Sequence, residues 1–233
     1  MFNKWKKNTV YISTMQIILL IVNFFLITII SRKYGAEIYG EYASAKSLSV
    51  LIGTVTVLSL ALVVTRTSAN MEEFNSSLFY TTYRVIIRNT FFAFALVIPL
   101  SNIFGRNFTY VFFFLLGFVF NEMLHVALAY HQSKGDFVIS SKQIIIRTVL
   151  YGLGGWTIVF LDYSIIWIIV FQAVILTLFF IVAHFSLPNT DRSSEGLHDK
   201  KELSSAGRKM VLTTFSAALL SELDIVILGI FYS

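Results

Sequence analysis

Uncharged apolar runs alternate with short polar ones along most of the chain, and the apolar runs have the lengths of helices, not of strands. Asn8 to Ser31 carries no charge. As an α-helix it rises about 36 Å, enough to cross a hydrocarbon layer of roughly 30 Å. Further charge-poor runs are Ser47 to Thr65, Asn89 to Gly105, Asn107 to Asn121, Thr148 to Leu161 and Tyr163 to Ala183. The shorter ones are extended at one end by helix that carries an ionisable residue. These six runs predict six transmembrane helices. Lys4, Lys6 and Lys7 before the first imitate a signal peptide, but the run is too long for one and no small-residue cleavage site follows. Leu187 to Gly207 holds Pro188, several serines and charges of both signs, the composition of a solvated linker. Beyond it Ser204 or Ser205 suits the cap of a helix over Arg208 to Tyr232, a seventh span with Glu222 and Asp224 inside. The expected organisation is an all-α integral membrane unit over 1–186, a polar cytosolic linker over 187–207, and a seventh helix over 208–233.

Composition agrees: 56% of residues are hydrophobic, 13% are charged and no cysteine is present, with a mean hydropathy of +0.75. That excludes a disulfide framework, a thiol nucleophile and a thiolate metal site. The net charge of +5 suggests nucleic acid until its placement is counted. With a cytosolic N-terminus and alternating spans, fourteen of the 18 basic residues fall inside. Only Arg32, Lys33, Lys46 and Arg106 fall outside. Dispersed over four cytosolic segments, the surplus is topological and implies no nucleic-acid partner. Trp5, Tyr34, Tyr39, Tyr42, Trp156, Tyr163 and Trp167 stand near expected span ends, where amphipathic rings prefer the headgroup layer.

The segment after the first span reads Arg32-Lys33-Tyr34-Gly35-Ala36-Glu37-Ile38-Tyr39-Gly40-Glu41-Tyr42, a structured turn in which two glycines permit a tight backbone path. Arg32, Gly35, Tyr39, Gly40 and Tyr42 resemble the R-x-x-G-x-x-x-Y-G-x-Y signature of polysaccharide transporters, the O-antigen flippase type of the multidrug/oligosaccharidyl-lipid/polysaccharide exporter superfamily. Arg66 ending the second span, the polar linker after the sixth, and Asp224 ahead of Leu228-Gly229 extend the likeness. Ser59-Leu60 departs from it where a Gly-Leu is frequent. The resemblance implies a MATE-like transporter of two six-helix lobes, of which this chain supplies one lobe and the opening helix of the second. It also implies a polyprenyl-diphosphate-linked oligosaccharide as cargo, flipped across the bacterial inner membrane for O-antigen, capsule or exopolysaccharide assembly. Glycosyltransferases or a polysaccharide polymerase would be its neighbours. Two alternatives stand beside this: a drug or cation antiporter on the same scaffold, and a non-transporting remnant or scaffold.

Arg84 and Arg88 share a helix face, and Arg66 and Arg147 belong to the same expected membrane level. They read either as snorkelling anchors or as a cationic cleft for the diphosphate, guanidinium being suited to bidentate phosphate contacts. Asn121, Glu122 and His125 share a face of the fourth span. Such residues within a span are costly, and three readings remain open: an ion pair between Glu122 and an arginine, a coupling site for a proton or cation, and substrate contact. Glu222 and Asp224 are about 200° apart on a helix, and the family position favours Asp224 as the lumen residue. Gln16, Asn23 and Gln172 read as interhelical hydrogen-bonding groups. Glu122-x-x-His125 and Glu195-x-x-His198 spell a di-iron spacing, but the second lies in the linker, so no metal is expected. Gly152-Leu-Gly154-Gly155 lies inside a span, no phosphate loop occurs, and no triad is evident. No cofactor and no enzymatic activity are expected.

Overall fold

The computed structural model describes residues 2–57, 59–69, 76–103, 107–187, 210, 213–222 and 225. It is helical throughout: α1 (Phe2–Val57), α2 (Leu60–Ala69), α3 (Ser76–Ile103), α4 (Phe108–Ser133), α5 (Phe137–Phe160) and α6 (Ile166–Phe185), with a further helical stretch, α7, over 213–222. Among the described residues five helices are long and apolar enough to cross a membrane. Leu20, Phe24, Phe91, Phe160 and Phe185 lie open on the outer surface, a display that suits lipid and not water. These are the marks of a multi-pass membrane protein.

The expected first loop is not a loop. Residues 32–42 are helical, and Gly35 alone interrupts them with φ 83° and ψ 170°. That region of backbone space is open in practice only to glycine. Gly35 therefore divides α1 into two arms, 6–34 and 36–57, about 43 Å and 33 Å long, each enough to cross a bilayer. Gly40, by contrast, is an ordinary helical residue. The expected second span also differs: the second arm begins soon after Gly35, and the chain breaks at Ser59, whose φ is +52°. Asn89 covers the break by donating from Nδ2 to the Thr56 carbonyl at 3.0 Å.

Polar caps set the starts of two of the remaining helices. Asn107 accepts from the Thr109 amide at 3.0 Å and opens α4, and Asp136 accepts from Val138 at 3.2 Å and opens α5. The helices also outrun their apolar stretches: α3 begins at Ser76 instead of Asn89, α4 continues to Ser133, and α5 starts at Phe137 instead of Thr148. The linker beyond Leu187, Arg106 and Asp224 lie outside the described residues.

Both ends of the first arm are tied to α5. Asn8 Nδ2 donates to the Gly135 carbonyl at 2.8 Å in the α4–α5 turn. At the other end Tyr34 donates to the Tyr163 carbonyl at 2.6 Å, and Lys33 pairs with Asp162. The first arm consequently runs parallel to α5, with residue 8 and the α4–α5 turn at one end of the bundle and Gly35 and the α5–α6 turn at the other. Between these ties α5 meets the arm on its glycine face. A Cβ on Gly155 would stand 2.7 Å from Leu26, one on Gly152 would run into Val22, and one on Gly154 into Phe171 of α6. Ile30, Leu60, Phe79, Ile86, Leu115 and Ile168 fill the centre, each fully buried.

Candidate functional site

Five helix faces meet around a cavity of about 210 Å³. Each face is a helical stripe. The first arm contributes Leu19 and Asn23, the second arm Lys46, Ser49 and Val50, and α4 Phe114, Phe118 and Asn121; α5 contributes Arg147, Thr148 and Tyr151, and α6 Gln172, Ile175 and Leu176. Spacings of three and four place each set on one side of its helix. Gly53, one turn below Val50, leaves room for the Phe118 ring, which a Cβ there would strike.

Two cations, Lys46 and Arg147, line the cavity, and no acidic side chain does among the described residues. Arg147 is held from one side: its Nη1 donates to Asn121 Oδ1 at 2.5 Å. Asn121 in turn donates from Nδ2 to Glu122 Oε1 at 3.5 Å, a long contact. Glu122 thus reaches Arg147 through an amide, and both it and His125 lie within electrostatic range of the guanidinium. On the opposite side the Tyr151 and Tyr42 hydroxyls stand 3.2 Å apart. Gln172 presents a buried Oε1 with no hydrogen-bond partner among the described residues. The arrangement offers positive charge, amide groups and hydroxyls to a ligand, the donor set that recognises a phosphate or diphosphate.

The structure does not gather the four arginines named from the sequence. Arg147 lines the cavity, whereas Arg66, Arg84 and Arg88 are exposed and outside its lining. Arg88 turns to its neighbour Asn89, with contacts to Oδ1 at 3.3 and 3.4 Å. Glu122 and His125 stand behind Asn121, not in the lining itself. Of the signature residues, Arg32 is exposed, Gly35 makes the kink, Tyr39 stacks on Tyr42 with centroids 6.2 Å apart, and Gly40 has open space around it. Tyr42 is no interfacial ring: it is 4% exposed, packs edge-on against Phe114, and pairs with Tyr151.

Lys46, assigned by charge counting to the outer side, instead lines the cavity. Its signal was present in the stripe Lys46, Ser49, Val50, Gly53, but the residue precedes the apolar run and read as its flank. Asn23 and Gln172, expected to bridge helices, are lining residues as well. Comparison with protein-family models, with curated proteins and with solved structures found no match.

Proposed function

We propose that this chain is a transport lobe of the bacterial inner membrane, with its N-terminus cytosolic, which moves a polyprenyl-diphosphate-linked oligosaccharide between leaflets for surface-polysaccharide assembly. One observation carries the reading: a cavity among the helices lined by Arg147, by the exposed Lys46, by amides and hydroxyls, and among the described residues by no carboxylate. A diphosphate headgroup exchanges its water for these donors, while the lipid tail stays in the bilayer and no bond is broken. The signature on Arg32, Gly35, Tyr39, Gly40 and Tyr42 names the cargo class. Among the described residues the lining is cationic, which weighs against the antiporter alternative, because a cation entering this cavity would meet like charge.

Reconstitution tests it. With the chain in liposomes carrying a polyprenyl-diphosphate-linked disaccharide, lectin added outside reads how much sugar has crossed. Crossing is expected with the wild type and is expected to fall at least tenfold in Arg147→Gln and Lys46→Gln. Crossing no faster than in empty liposomes, or equal rates in all three proteins, would sink the reading.

A further inference from the structure

The strongest observation outside the cavity is where α7 touches the bundle. Ser59 Oγ meets Thr214 Oγ1 at 2.5 Å, and Ser47 Oγ donates to Glu222 Oε2 at 2.5 Å. As the second-arm numbers fall from 59 to 47, the α7 numbers rise from 214 to 222, so α7 lies antiparallel along the second arm. Between them Phe215 lines an apolar cavity together with Leu48, Ile52 and Val55 of the second arm. The second contact matters chemically, because Ser47 is the residue next to Lys46. A helical step of about 100° separates them, so the Glu222 carboxylate lies on the neighbouring face of the second arm, outside the cavity lining. It acts electrostatically on Lys46 as well as holding Ser47. Asp224, which the family position favours as the lumen residue, lies outside the described residues, and Glu222 makes the contact with Ser47.

Lysine carries its charge on a flexible four-carbon stem, so one ammonium can serve either of two partners. Arg147 is already committed to Asn121 on the α4 side. We infer that Glu222 and an anionic headgroup compete for Lys46, so that loading the cavity releases α7 from the second arm. This rests on the anion-transport reading above and adds its trigger. A diphosphate carries more charge than one carboxylate and draws Lys46 inward. Glu222 then keeps only its bond to Ser47, and the latch between the two helices weakens. The coupling is reciprocal, since whatever the ligand does to the latch, the latch does to the ligand's affinity.

Because the chain has no cysteine, the test needs only two introduced ones. Leu62→Cys on α2 and Leu220→Cys on α7, both exposed positions, carry nitroxides for distance measurement in lipid nanodiscs. Inorganic pyrophosphate is the probe, and calorimetry reads its affinity. In the otherwise wild-type protein, pyrophosphate is expected to broaden the distance distribution. Glu222→Gln is expected to be broad without ligand and to bind pyrophosphate about tenfold tighter, within the usual range of coupling between sites. Ser47→Ala, which keeps the charge and removes the hydrogen bond, serves if Glu222→Gln does not fold; it is expected to shift both readouts the same way, by about threefold in affinity. Equal affinities in wild type and Glu222→Gln, or binding that leaves the distances unchanged, would overturn the latch while leaving the anion site standing. Absence of pyrophosphate binding in every variant would overturn the anion site, and the latch with it.

Discussion

Arg147 on α5 and the pair Arg84 and Arg88 on α3 are the same side chain, yet they live in different surroundings. Arg147 lies on the inner stripe of α5, one residue from buried Thr148 and four from Tyr151, and an asparagine on α4 takes its proton donor. Arg84 and Arg88 lie on the outer face of α3 beside exposed Ile87, Phe91 and Phe92. Spacing explains the contrast: Thr82, Val85, Ile86 and Ala93 fill the inner face of α3, so residues 84 and 88 point away from it. An arginine therefore faces the cavity or the outer surface according to which stripe of its helix it shares. Depth alone does not decide.

The largest effect expected from breaking this contrast comes from Asn121→Leu. It removes the acceptor of Arg147 Nη1 and isolates Glu122, and hydrogen bonds to charged groups are worth about 1.5–3 kcal/mol. A fall of about 2 kcal/mol is expected in chemical unfolding in detergent. Gly35→Ala comes next, at about 1–3 kcal/mol, because no L side chain sits comfortably at φ 83° and ψ 170°. Since Gly35 aims the second arm, and with it Lys46, this substitution is also expected to weaken anion binding, measurable by calorimetry with pyrophosphate. The smallest effect sharpens the contrast from the other side. Arg84→Ala and Arg88→Ala, singly, are expected to change stability by less than about 0.5 kcal/mol and to leave lipid crossing in liposomes near wild type. A loss comparable to that of Arg147→Gln would erase the distinction drawn between the two faces.

The helical character and the approximate positions of the helices were legible in the sequence, because apolar run length is a direct record of how much chain must face hydrocarbon. Their starts were less legible. Ser76 and Phe137 begin helices well before the charge-free runs do, since a helix end outside the apolar layer tolerates Arg84 or Lys142 as easily as leucine. The kink was half legible: the string around Gly35 and Gly40 marked a turn, but two glycines look alike in sequence, and only one takes a positive φ. Arg147 lines the cavity whereas Arg66, Arg84 and Arg88 lie on exposed faces, because sequence gives the level of a residue more readily than its azimuth. Lys46 was missed for the opposite reason. Its azimuth was readable from Ser49 and Gly53, but its level was read as an outer flank because the second arm starts ten residues before it.

The ties that hold the first arm carry a consequence for how the protein is made. Asn8 finds Gly135 across 127 residues of chain, and Tyr34 finds Tyr163 across 129. At a synthesis rate of about 5–20 residues per second, the first arm waits roughly 6–25 s for the partners that pin it. During that interval Asn23, which later lines the cavity, has no protein to receive it. The first arm leaves the ribosome well before it is seated, and the burden of sheltering its polar groups falls on the insertion machinery.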